Sequence, residues 1–143
     1  MEEQLINFKT AKLAKEKGFN RQCFYYYDKT EKLIEPYEEN GSSTDVEFRV
    51  NLTDLLDNYN EGYRENYSAS TQSLLQKWLR ETHQLHLEIQ VQDYVETPKF
   101  YWNIFGAYKN NKMIICIANS PREDYVSYEE ALEAGLQKAL SCI

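Results

Sequence analysis

The chain has 143 residues, a net charge of −7, and 42% hydrophobic against 27% charged side chains, which is the composition of a folded domain and excludes wholesale disorder. No apolar run approaches the roughly 20 residues of a membrane-spanning helix, and the acidic start Met1-Glu2-Glu3 lacks the basic and apolar segments of a secretory signal. Cys23, Cys116 and Cys142 are odd in number without CxxC spacing, so they read as reduced, buried thiols of an intracellular protein.

Taken in chain order, residues 6–17 carry Ile6, Thr10, Leu13 and Ala14 on one helical face and Lys9, Lys12 and Lys15 on the other. Gly18-Phe19 supplies a Schellman-type stop, glycine in the left-handed position and Phe19 folded back on the helix. Residues 22–27, rich in tyrosine, form a strand by β propensity. Residues 28–45 are turn-rich, with Pro36 and Asn40-Gly41-Ser42-Ser43, and read as a loop or hairpin. Val46 to Val50 alternates as a short strand, 52–58 reads as a brief helix capped by Asn51, and 59–69 as an ordered loop.

A helix is predicted over 70–82, with Leu74, Leu75, Trp78 and Leu79 as its apolar stripe. Strands about 85–92, 100–108 and 112–118 follow, the first alternating strictly, the last apolar on both faces and therefore expected at the centre of the sheet. The last helix, about 127–142, opens on a capping box, Ser127 with Glu130. Gly135 lies in its apolar face between Ala131 and Ala139, which predicts close approach of the helix to a sheet. The expected fold is one α+β domain over 1–143: a three- to four-stranded, mainly antiparallel sheet with the three helices packed mainly on one face.

Charge is distributed unevenly. Residues 28–66 hold eleven acids against four bases, and so carry a net charge equal to that of the whole chain. Such a segment is either a solvated face or a partner surface.

Motifs for catalysis are missing. His83 and His86 have HxxH spacing, but the predicted helix end and strand start fall between them and no third ligand is close in sequence. Asp57 to Gly62 begins like a calcium loop and fails at the third position, Tyr59, and at the twelfth, Ser68. There is no GxSxG elbow, and the five glycines are isolated, so no phosphate-cradling loop forms. No catalytic residue, metal ligand or cofactor is assigned. Lys77 and Arg80 beside strands bearing Tyr101, Trp102 and Phe105 raise nucleic-acid binding, which the net charge disfavours.

Three runs carry a resemblance: Ala11-Lys12-Leu13-Ala14-Lys15-Glu16-Lys17-Gly18-Phe19, the segment from Ala69 through Trp78 to Glu81 with His83 after it, and Tyr128 to Leu136. In this order and spacing the chain resembles a family of small proteins encoded in phage and prophage regions of Bacteroidetes bacteria. The resemblance covers most of the chain, matches poorly over 28–66, and meets Ser70 where the family commonly has Pro. It implies a bacterial host, hence a cytoplasmic setting, and a shared fold, and carries no activity.

The resulting expectation is a phage or prophage accessory protein, non-enzymatic, acting through contacts with a protein partner or a second copy of itself. Its candidate surfaces are the acidic segment and the face formed by Gln72, Gln76, Lys77 and Arg80, residues without an evident packing role in the sequence. The rival readings are a nucleic-acid-binding protein, and a small-molecule-binding module or enzyme with a cleft lined by tyrosines and carboxylates.

Overall fold

The computed structural model describes residues 3–36, 56–62, 65–92, 97–107, 114–121 and 125–143. The fold is α+β, with helices packed against two three-stranded antiparallel sheets. Where the sequence reads as one domain over 1–143, the chain gathers into two compact units, Leu5–Ser70 and Met1–Gln4 with Thr71–Ile143.

In the first unit, α1 (Phe8–Glu16) starts at Asn7, whose Oδ1 accepts from the Thr10 amide at 2.9 Å. The stop is the predicted one: Gly18 has φ 85°, Phe19 N–H donates to Ala14 O at 2.9 Å, and Gly18 N–H to Lys15 O at 3.0 Å. Phe19 is buried, as are Thr10, Ala11 and Ala14. Helix α1 packs on β3 (Tyr67–Ala69), an edge of the sheet ordered β2-β1-β3 with β1 at Tyr25–Tyr27 and β2 at Leu33–Ile34. The sequence pattern predicts this helix on the sheet of residues 85–118 and a loop over 59–69, where the structure forms β3. Strands of two and three residues are too short to show a period-2 pattern.

Rings and side-chain hydrogen bonds supplement so small a sheet. Phe8 meets Tyr27 and Tyr67 edge-on at 5.8 and 5.2 Å, and the Tyr27 hydroxyl donates to Ile6 O at 2.7 Å. Lys15 donates to Asn66 O at 2.7 Å while lying 4.9 Å from the Tyr67 ring centre. The β1–β2 turn is held by Asp28, whose Oδ1 accepts from the Thr30 hydroxyl and from the Thr30 and Lys32 amides. These bonds, the Thr30 hydroxyl first, hold the Asp28 carboxyl below its ordinary value.

In the second unit, α2 (Gln72–His83) is capped by Thr71, which accepts from the Leu74 amide at 3.2 Å, and ends on Gln84 in the left-handed region at φ 57°. Strands β4 (Leu85–Gln92), β5 (Lys99–Ala107) and β6 (Ile114–Asn119) follow, with β5 in the middle. Helix α3 (Tyr128–Ser141) begins at Ser127, which accepts from the Glu130 amide at 3.2 Å, and lies across β4 and β5. Helix α2 packs on β4 and α3. Gly135 is the point of closest approach: a Cβ there would lie 2.7 Å from Leu87 Cδ1 and 3.2 Å from Trp102 Cβ.

Two expectations are corrected here. Strand β6 is apolar, yet among the described residues β5 is its sole neighbour, and Ile117 is 44% exposed. Hydropathy reports on the faces of a strand, not on its place in the sheet order. The cysteines also divide: Cys23 is buried, whereas Cys116 on β6 and Cys142 at the end of α3 are exposed. The strand expected over 46–50 and the turn at Asn110-Asn111 lie outside the described residues, as does most of the helix expected over 52–58. Its described end is extended, Asp57 pairing with Cys23 through backbone bonds of 2.9 and 3.2 Å.

Candidate functional site

The predicted surface on α2 separates into two kinds of residue. Gln72 is buried, and its Nε2 donates to Glu129 O at 3.1 Å and Glu133 Oε2 at 2.9 Å, tying α2 to α3. Gln76 Nε2 donates to Leu87 O at 2.7 Å and so ties α2 to β4. Both have packing roles the sequence did not reveal, because a glutamine that bonds inward occupies the same helical positions as a solvated one. Lys77 and Arg80 are exposed, and Lys77 lies 3.8 Å from Glu81 on the next turn. The grouping of four is thereby corrected to two exposed cations.

The rings considered as a stacking platform also separate. Trp102 is buried under α3, with its indole N–H 3.4 Å from the Tyr125 hydroxyl, while Tyr101 on the opposite face donates to Gln90 Oε1. His83 packs edge-on to Trp78 at 4.7 Å, and its buried Nε2 has no hydrogen-bond partner among the described residues. His86 stands opposite Phe105 in the β4–β5 ladder. Among the described residues no group of three or more His, Cys, Asp or Glu is placed to hold a metal ion.

A concave site does occur, in the unit Leu5–Ser70. An open cleft of about 430 Å³ is lined by Tyr26 of β1, by Asp57, Asn58, Tyr59, Glu61 and Gly62, and by Asn66. The turn that carries most of it is fixed at both ends. Asp57 pairs with Cys23, and the Asn60 side chain donates to Phe19 O and accepts from the Ser68 amide, each at 2.9 Å. Within the turn, Asp57 Oδ1 accepts from the Asn58 amide at 2.8 Å and Asn58 Oδ1 from the Asn60 amide at 3.2 Å. Gly62, at φ 100°, takes the left-handed conformation that lets the chain turn away.

Tyr26 and Tyr59 form one wall, ring centres 4.6 Å apart and planes inclined by 32°. Burial, and then the neighbouring Asp57 carboxylate, push the Tyr59 hydroxyl above its ordinary value, so it stays neutral. Asp57 and Glu61 are exposed at the mouth, and among the described residues no lysine or arginine lines the cleft. Behind it, the Cys23 thiol is pushed up to about 12 by burial, which outweighs the neighbouring Ser68 and Ser70 hydroxyls, so it is no nucleophile. The described residues of the cleft therefore offer carboxylate acceptors, amide groups and aromatic faces.

Sequence reasoning reached Asp57 to Gly62 as a failed calcium loop. Its signal was a turn dense in Asp and Asn around a tyrosine, and the pairing of that tyrosine with Tyr26 depends on chain folding. Compared with known proteins, the chain matches no protein-family model, no curated protein and no solved structure.

Proposed function

We propose that this protein is a non-enzymatic accessory protein of phage or prophage type that works by holding another protein, with β6 as its docking strand. Strand β6 carries the proposal. Its run Ile114 to Asn119 contains no charged residue and no proline, the devices that usually guard an edge strand. Ile117 and Cys116 are exposed on it. An extended segment of a partner, or β6 of a second copy, adds to such an edge through main-chain hydrogen bonds, with Ile117 supplying apolar contact.

The setting is the cytoplasm of a bacterial host, in keeping with the family resemblance. Among the described residues no helix is long and apolar enough to cross a membrane. Nucleic acid is the weaker reading, since the net charge of −7 opposes phosphate binding and Trp102 is buried. A second reading, a ligand-binding module, is favoured by the cleft of Tyr26, Tyr59, Asp57 and Glu61.

The test is capture of partners from host cells by the tagged protein and by its Ile117→Lys variant, each with and without nuclease. A stoichiometric partner that survives nuclease and is lost with the variant is the expected result. Recovery of the bait alone, or of proteins that vanish with nuclease, overturns the proposal.

A further inference from the structure

We propose that the cleft beside the Tyr26–Tyr59 pair binds an organic cation, an ammonium or guanidinium head group on an alkyl stem. The inference deepens the ligand-binding reading of that cleft, on which it rests, and is independent of β6.

Three features of the cleft select the ligand class. The first is concavity with volume: about 430 Å³ admits a group the size of a long amino-acid side chain. The second is the aromatic wall. Two phenol rings at 4.6 Å present negative π faces, and a cation within about 6 Å of a ring centre is attracted by the quadrupole. The third is charge. Asp57 and Glu61 flank Tyr59 at two residues on either side, and the described residues that line the site include no base. An anion entering it meets two carboxylates and, among the described lining residues, no positive charge. A neutral apolar group takes water from both carboxylates without replacing the hydrogen bonds they lose. A guanidinium or ammonium satisfies the carboxylates with charge-assisted hydrogen bonds while its stem or plane lies on the rings.

The turn is also prepared for this role. Asn60 holds it to Phe19 and Ser68, so the backbone that carries both carboxylates is in place before a ligand arrives.

The experiment is a titration of the isotope-labelled protein followed by amide chemical shifts, with four probes. Agmatine represents a free small-molecule cation and acetyl-Gly-Arg-Gly-amide a side chain within a polypeptide. Acetyl-Gly-citrulline-Gly-amide is the neutral isostere of the second, and sodium chloride is the ionic-strength control. The expected result is a saturable shift of residues 57–62 with both arginine-type probes, at least tenfold weaker with the citrulline peptide and weakened by salt. The tighter of the two cationic probes identifies the source of the head group.

Asp57→Asn and Glu61→Gln keep the shape of the turn, since Asp57 pairs with Cys23 through its backbone. Each is expected to weaken the guanidinium probes by about threefold to fivefold, the range of an exposed ion pair. Tyr59→Leu is expected to weaken them by about fivefold. Equal binding of the citrulline and arginine peptides overturns the cation assignment while leaving a neutral ligand site. Shifts that map away from 57–62, or no shift with any probe, remove the ligand-binding reading together with the inference.

Discussion

Replacing Gly135 by alanine sets two effects of similar size against each other, and the geometry decides between them. In an exposed helix interior the change stabilises by about 1 kcal/mol through helix propensity. At this position the new methyl carbon lies 2.7 Å from Leu87 Cδ1, 3.2 Å from Leu87 Cδ2 and 3.2 Å from Trp102 Cβ. Leu87 and Trp102 are 4% and 7% exposed, so the Leu87 methyl must move within a close-packed interior to admit it. Overpacking of this kind costs about 1–3 kcal/mol. Gly135→Ala is therefore expected to destabilise by about 1 kcal/mol net.

Leu87→Ala alone is expected to cost about 2–5 kcal/mol through lost burial and a cavity. In that background the methyl at 135 enters the vacated space, and the same Gly135→Ala change becomes stabilising by about 0.5–1 kcal/mol. Urea unfolding of the four proteins, followed by far-ultraviolet circular dichroism, measures the cycle. A Gly135→Ala protein more stable than the parent, or a change of the same sign in both backgrounds, refutes the claim that Leu87 blocks a side chain at 135.

Four further outcomes are expected. Gln72→Ala and Gln76→Ala each lower stability by about 1–2 kcal/mol, since each removes a donor from a part-buried carbonyl. Lys77→Ser and Arg80→Ser stay within about 0.5 kcal/mol of the parent by the same denaturation measurement. Cys23 resists iodoacetamide at pH 8 in the folded protein, where a thiol at about 12 is ionised to about one part in 10⁴, while exposed Cys116 and Cys142 are alkylated. Its folded value lies above the ordinary 9.0, so its contribution to stability is complete below pH 9 and is lost as pH rises toward 12. Peptide mass spectra and an alkaline unfolding series check both statements, and equal labelling of the three cysteines counts against them.

Legibility in the sequence followed the length of each pattern. Helix α2 and strand β4 carry their apolar residues over many turns or alternations, so both were readable, as were the stops and caps at Gly18 and Ser127, where one residue type does one local task. Strands β2 and β3 were not, because two or three residues show no period. That β6 has β5 as its sole neighbour among the described residues is hidden for another reason: sheet order is a property of pairing, and Ile114 to Ala118 would read the same at the centre. At the candidate site the failure was one of distance along the chain. Tyr26 and Tyr59 are 33 residues apart, and a cleft made by bringing them together has no sequence pattern. For Gln72 and Gln76 the helical periodicity was right, but it does not tell which way an amide will bond.

The burial of Trp78 and Trp102 has an optical consequence. They are the two tryptophans of the chain, and both belong to the unit that contains Thr71–Ile143. Indole emission is therefore a reporter for that unit and has no chromophore within Leu5–Ser70. A ligand entering the cleft, or fraying of the short strands around it, will register through the phenols of Tyr26 and Tyr59. Only a tryptophan placed among residues 5–70 would make that unit visible by indole fluorescence.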